Sequence, residues 1–143
     1  VLFTGEYRRS IDEKGRLIVP SSMRELIPGE GTALARGVDG CIDLWPEGEW
    51  ERQAQDILAQ PRSSEARREF IRRVAGKSHT DQIDKQGRIT VPQQLRDYAG
   101  ITADVVIVGV FDHVEIWDPI RYAAIEEKQE ETPLEEQLKQ LNI

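Results

Sequence analysis

Apolar residues recur in short runs, and their spacing divides the chain into strand-like and helix-like segments. Alternating or apolar residues lead into Ile11, Arg16 to Val19 run out again as a strand, and DEKG at residues 12 to 15 separates the two. Asp suits the first position of a tight reversal because its carboxylate accepts backbone N–H groups, and Gly suits the last because it takes positive φ without steric cost. The pattern predicts a hairpin. Pro20 ends the second strand, and SSMREL follows as a short helix with Ser22 and Glu25 spaced as a capping box. Another apolar stretch and a strand ending in IDLW complete the unit.

Further helices are predicted outside such units. PEGEWERQAQDILAQ places Trp50, Ala54, Ile57 and Leu58 on one face. SSEARREFIRRVAGKS turns Phe70, Ile71 and Val74 inward and Arg67, Arg68, Arg72 and Arg73 outward, either as a solvated face paired with Glu65 and Glu69 or as a phosphate-contacting surface. Asp118 and Pro119 open a helix through Ile125. Thr132, Pro133 and Glu135 open another, whose stripe of Leu134, Leu138 and Leu141 needs a partner in its own domain or in a neighbouring subunit.

The unit occurs twice. With the chain displaced by 72 positions, residues 11 to 50 meet 83 to 122 with ten identities. About two or three would arise by chance from ordinary residue usage. Ile11, Asp12, Gly15, Arg16, Val19, Pro20, Arg24, Gly37, Val38 and Trp45 meet Ile83, Asp84, Gly87, Arg88, Val91, Pro92, Arg96, Gly109, Val110 and Trp117. The second copy reads RITVP, then QQLRDYAG with Gly100 as helix stop, then VVIVGVF and a strand ending in VEIW. This is a tandem duplication in which each unit runs β, turn, β, short helix, β, β. A few short strands with one small helix cannot cover their own apolar faces, so the units are expected to pack on each other about a pseudo-twofold axis.

Composition adds limits. The length suits one domain or two small ones, and no apolar run approaches the roughly 18 residues of a membrane span. VLFTGEYRRS does not read as a signal peptide, so a cytoplasmic location is expected. Cys41 is the single cysteine and is expected to be a small buried apolar side chain, with no internal disulfide and no thiolate metal cluster. The net charge of -7 conceals a pattern. Residues 6 to 24 carry five basic and three acidic groups, 62 to 77 six and two, and 84 to 96 three and one. Residues 25 to 61 carry two and eight, and 112 to 143 three and nine. Because salt confines each field to about 10 Å at 0.1 M, locally positive surfaces remain available to a polyanion.

The turn's shape needs only Asp and Gly. Arg16 and Arg88, with Lys14 and Lys85 inside the turns, add basic donors at the tip of a rigid element. A guanidinium can grip a guanine edge or a phosphate bidentately while the adjacent Asp orients it, or the Asp–Arg pair can simply stiffen the turn. Arg8 and Arg9, in the strand before the first turn, join Asp12, Lys14, Arg16, Asp84, Lys85 and Arg88 as candidate DNA-binding residues.

GEYRRSIDEKGRLIVP together with HTDQIDKQGRITVPQQLRDYAGI resembles the MraZ family, bacterial transcription factors related to the AbrB and MazE DNA-binding domains. The resemblance covers essentially the whole chain and implies an α+β fold, in which tandem AbrB-like units form a double-split β-barrel with flanking helices. It divides the chain into a first repeat at 1–50, linking helices at 51–77, a second repeat at 78–122 and a C-terminal helix at 123–143. It also implies a homo-oligomeric ring, an octamer or larger, associated with the nucleoid. The ring would bind direct repeats in double-stranded promoter DNA and repress the division and cell wall gene cluster. The family's DxxxR residues fall on Asp12 and Arg16 and on Asp84 and Arg88.

Other functions predict different features. An antitoxin of the same superfamily would bind DNA through the same turn but use a flexible tail on its toxin, whereas this C-terminus has caps and helical periodicity. A structural scaffold would show no salt-dependent DNA affinity. Catalysis finds no support, because His79 and His113 are isolated, no Gly-rich phosphate loop follows a strand, and no nucleophile, base and orienting residue form a set. No metal, cofactor, membrane or small-molecule substrate is expected.

Overall fold

The computed structural model describes residues 1–143. The first repeat contains β1 (Glu6–Ser10), β2 (Arg16–Ile18), α1 (Ser21–Arg24), β3 (Gly31–Arg36) and β4 (Ile42–Pro46). Helices α2 (Glu47–Leu58) and α3 (Glu65–Val74) lead to the second repeat. That repeat contains β5 (His79–Gln82), β6 (Arg88–Thr90), α4 (Gln93–Ala99), β7 (Asp104–Gly109) and β8 (Val114–Trp117), and α5 (Pro119–Gln129) and α6 (Leu134–Gln140) follow it. The order of elements is the one the duplication predicts. Gly100 ends α4 in the left-handed conformation, and Asp118 caps α5, which runs four residues beyond Ile125.

The predicted hairpin does not form. Asp12 and Arg16 close a turn, with Asp12 N–H donating to Arg16 C=O at 2.9 Å, but the strands it joins then enter different sheets. β1 pairs antiparallel with β7, while β2 pairs antiparallel with β6. In the second repeat β5 likewise pairs with β3 of the first. The turn chemistry fixes a reversal of direction and leaves the ladder partner to the rest of the fold. Val19 N–H, which would extend a hairpin, donates instead to Gly87 C=O, and Val91 N–H donates to Gly15 C=O.

The result is a six-stranded antiparallel sheet in the order β1-β7-β8-β4-β3-β5 and a separate β2–β6 ribbon. Strands β1 and β5 are open edges, so hydrogen bonding closes no barrel. Exchanging the two repeats reverses the strand order onto itself. The pseudo-twofold axis passes through Asp43 opposite Glu115 and through Leu17 opposite Ile89, both pairs 72 residues apart. Between these points the ungapped comparison slips. Ser10 pairs with Asp104 and Gln82 pairs with Gly31, so Asp104 is the structural counterpart of Gly31 at an offset of 73. One residue added before β7 is removed again in the β7–β8 loop, and Gly109 with Val110 are therefore not the counterparts of Gly37 with Val38.

Two other expectations change. Pro20, not a hydroxyl, precedes α1, with no side-chain cap, and Glu25 follows the helix, so Ser22 and Glu25 form no capping box. A first turn this short leaves Ser22 free to bond Tyr7 Oη at 2.8 Å. Phe70 is 40% exposed, and Arg67 is half-buried where an outward position was predicted.

The main core lies between the six-stranded sheet and a layer made of the ribbon, α1 and α4. Leu17, Val19, Met23, Ile89, Val91 and Leu95 from that layer meet Leu34, Ile42, Leu44, Val105, Ile107 and Ile116 from the sheet. The opposite sheet face carries α2 and α3 over Ala35 and Trp45, and α5 over Val108 and Trp117. Neither α2, α3, α5 nor α6 has a fully buried residue. Leu134, Leu138 and Leu141 are 83%, 49% and 67% exposed, so the stripe on α6 does not pack on its own domain. No helix is long and apolar enough to cross a membrane.

Leu17 and Ile89 face each other at the centre of the ribbon, 1% and 2% exposed. Leu17→Ala and Ile89→Ala are each expected to cost about 2–5 kcal/mol in urea unfolding, the usual penalty for truncating a buried aliphatic side chain. Ile18→Ala, at a 53% exposed position beside them, is expected to cost far less.

Candidate nucleic-acid interface

Each turn is organised by one carboxylate. Asp12 Oδ1 accepts from the N–H groups of Lys14 and Arg16, both at 2.9 Å, and Oδ2 accepts from Arg16 Nε at 3.1 Å. Asp84 repeats this, with Oδ1 bonded to Gln86 N–H at 2.9 Å and Arg88 N–H at 2.8 Å, and Oδ2 bonded to Arg88 Nε at 2.8 Å. The fourth residue needs positive φ, and Gly15 and Gly87 supply it at 81° and 79°. The carboxylate fixes backbone and guanidinium together. Both arginines are engaged through Nε, and their Nη atoms make no hydrogen bond within the chain.

Ribbon register determines what faces outward. Arg16 pairs with Thr90, Leu17 with Ile89 and Ile18 with Arg88. Leu17 and Ile89 point into the core, so Arg16, Ile18, Arg88 and Thr90 share the outer face. The pseudo-twofold axis sets the two arginines diagonally across it, and exposed Lys14 and Lys85 lie in the flanking turns. The structure thus brings together Asp12, Lys14, Arg16, Asp84, Lys85 and Arg88 on one body.

Arg8 and Arg9 are divided by the alternation of β1. Arg9 shares the face of Tyr7, which packs against the main core, and its guanidinium lies 5.5 Å from the Tyr7 ring centroid. Arg8 lies opposite Val106, which belongs to the small cluster on the other sheet face. Arg9 is therefore on the ribbon side and Arg8 is not.

Arg24 and Arg96 are basic groups that the charge pattern did not single out. Arg96 donates from Nε to Val91 C=O at 3.1 Å, and its guanidinium sits 3.1 Å from where a Cβ on Gly15 would stand. The Arg24 guanidinium fills the space where a Cβ on Gly87 would stand, and its Nε is buried without a partner. Each turn is thus backed by an arginine from the other repeat. The available signal was their identity at the 72-residue displacement.

The arginines of α3 lie elsewhere. This helix shares an apolar groove of about 300 Å³ with Trp45, Trp50, Ala54, Ile57 and Leu58, on the sheet face away from the ribbon. Acidic α2 lies on that same far side, while α5 balances Arg121 and Lys128 against Glu126 and Glu127.

The backbone N–H of Arg16 is the chief cause holding the Asp12 carboxyl below its ordinary pKa, and the N–H of Arg88, then its side chain, does the same for Asp84. A lowered folded value means that the ionised form favours folding. That contribution is complete above the unfolded value of about 3.9 and is lost as pH falls through the folded values. Denaturant unfolding between pH 5 and pH 2 should show a steeper loss of stability in the wild type than in an Asp12→Asn/Asp84→Asn variant. Gly87→Ala should destabilise by more than about 1 kcal/mol, because it combines positive φ with displacement of Arg24.

The sequence matches known proteins along most of its length. The profile of a family described as "MraZ protein, putative antitoxin-like" matches residues 2–73 and again 75–142. A protein of Natranaerobius thermophilus named transcriptional regulator MraZ is 42% identical over 116 residues, 81% of this chain and 80% of its own. Proteins of the same name from Heliobacterium modesticaldum and Thermomicrobium roseum are 40% and 39% identical, covering 89% and 86% of this chain and 88% and 86% of their own. With the family profile matched once by each half and relatives aligned over more than four-fifths of the sequence, this chain belongs to the MraZ family.

Proposed function

We propose that the chain regulates transcription by inserting the β2–β6 ribbon into the major groove of double-stranded DNA. The carrying observation is the pair of guanidinium groups on the ribbon's outer face, each held by a turn carboxylate through Nε with both Nη atoms unbonded. A two-stranded ribbon fits the major groove, and a guanidinium can bond guanine O6 and N7 together. Ile18 and Thr90 between the arginines suit contact with a thymine methyl, while Lys14, Lys85 and Arg9 suit phosphates. In this reading the ribbon and sheet form the barrel that the family resemblance implies, closed by side-chain packing rather than hydrogen bonds.

One ribbon offers a few contacts of about 1–3 kcal/mol each, too little for operator recognition. Self-association supplies the remainder by raising effective concentration along repeated boxes. Two observations support a second copy of this chain as partner: the exposed leucine stripe of α6 and the open groove between α2 and α3. Glu135 and Glu136 of α6 are opposite in charge to the arginines of α3, whose apolar residues Phe70, Ile71 and Val74 line that groove. A ring assembled this way would present ribbons at about one helical turn, roughly 34 Å, on direct repeats. The proposed targets are repeats upstream of the division and cell wall genes, with repression as outcome and a cytoplasmic, nucleoid-associated location. The exposed α6 stripe also suits an antitoxin's grip on a toxin, and recovery of a toxin with the full chain would favour that reading.

Titration on promoter DNA tests the ribbon. Arg16→Ala and Arg88→Ala should each lose about 1–3 kcal/mol of binding and relax base preference. Lys14→Ala and Lys85→Ala should weaken all sequences alike and reduce the salt slope by about one. Unchanged affinity in both arginine variants would remove the proposed interface. Leu138→Asp should lower the oligomeric state and weaken binding to a multi-box operator far more than to a single box.

A further inference from the structure

At the end of the pseudo-twofold axis remote from the ribbon, Asp43 and Glu115 stand directly opposite each other in the β4–β8 ladder. Their side chains are only 13% and 21% exposed. Like charges placed opposite on a sheet destabilise it unless something neutralises them. His113, just before β8, brings Nε2 to 3.5 Å from Asp43 Oδ1 and 4.0 Å from Glu115 Oε2. A direct N–H···O bond prefers about 2.7–3.2 Å. Ligand atoms sharing a tetrahedral zinc, with bonds of about 2.0–2.2 Å, lie roughly 3.3–3.5 Å apart. The Asp43 spacing matches such a pair, the Glu115 spacing is wider by about half an ångström, and both exceed a direct hydrogen bond, so a small side-chain shift would bring the three groups onto one ion.

Each of the three groups is held from outside. His113 Nδ1 lies 2.7 Å from Asp112 Oδ1, and the imidazole stacks on Trp45 with centroids 4.0 Å apart and planes 12° from parallel. Glu115 Oε1 accepts from Trp117 Nε1 at 3.0 Å, which leaves Oε2 toward His113. Asp43 Oδ1 accepts from the Cys41 thiol at 3.5 Å. Outer contacts of this kind fix the tautomer and orientation of metal-binding imidazoles and carboxylates. Asp43 borders the groove beside α2, and Glu115 borders the depression beside Tyr122, so an ion has a path from solvent.

We propose that Asp43, Glu115 and His113 form a site for a divalent transition metal ion of the zinc class, joining the two repeats. A dication cancels the charge of the two carboxylates, and its oxygen and nitrogen donors suit zinc, cobalt or manganese. Cys41 Sγ also lies within 4.8 Å of both carboxylates. Its thiol is fully buried, and burial first, then the neighbouring Asp43 and Glu115, keep it protonated, so it acts as an outer donor to Asp43 rather than as a ligand. The site lies across the sheet from the ribbon and does not depend on the DNA reading.

The test uses the full chain stripped by a chelator and titrated with cobalt(II) as a visible probe, with zinc as competitor and thermal unfolding as a second readout. One equivalent of cobalt per chain is expected to bind with Kd below about 10 µM, to be displaced by zinc, and to raise Tm. His113→Gln and Glu115→Gln should each weaken binding by at least about 10–100-fold, the loss that even outer-shell changes produce. His79→Gln, at a histidine outside the site, should leave affinity within about threefold, well under that loss. Glu115→Gln carries the test if His113→Gln fails to fold by circular dichroism. Absence of saturable binding, binding indifferent to both glutamine variants, or a thiolate-to-cobalt charge-transfer band would each overturn the assigned site.

Discussion

The architecture depends on reciprocal pairing between two very short strands. β2 and β6 contribute three residue pairs, and one further backbone bond at each end runs from Val19 or Val91 to the glycine of the other repeat's turn. Neither strand has a partner in its own repeat. The backbone N–H and C=O groups that each repeat leaves unpaired are therefore satisfied by the other, and an unpaired buried amide would cost about 1–3 kcal/mol. The same exchange puts β1 on β7 and β5 on β3, so the two halves form one cooperative body.

This pairing also places the turns. Because each is locked to the opposite repeat, the two Asp–Arg pairs hold a fixed separation about a common axis, and Arg24 and Arg96 back them from across it. A carboxylate that accepts two backbone N–H groups has little freedom to move, and the guanidinium bonded to its other oxygen inherits that restraint. Such preorganisation lowers the entropy lost on binding. On the far sheet face the chemistry is different: an acidic helix α2, an apolar groove, and a half-buried pair of carboxylates on the axis itself. The ribbon's arginines and the apolar groove thus lie on opposite sides of the sheet.

Much of this was legible in the sequence. The duplication, the turn residues, Gly100 as helix stop and Asp118–Pro119 as helix start all express local rules that operate within a few residues. The ladder partners were not legible. A reversal at Asp12 to Gly15 has the same local chemistry whether the flanking strands pair with each other or with another repeat, and strands of three to five residues carry too little pattern to decide. The one-residue slip before β7 was hidden because a matching deletion restored the alignment at Trp117. Arg24 and Arg96 were visible as repeated letters, but their place beneath the opposite turns depends on the exchange. His113 looked isolated because its neighbours Asp43 and Trp45 lie in the other repeat.

The proposed surface that meets DNA is the ribbon carrying the two turns. Hydrogen–deuterium exchange of the full chain, with and without saturating promoter duplex, addresses it residue by residue. New protection is expected to concentrate at residues 12–18 and 84–90, equal in the two repeats when the operator is bound, with α2, α3 and α5 unchanged beyond any effect of self-association. Protection confined to the helical face, with the ribbon exchanging as in the unbound protein, would contradict it.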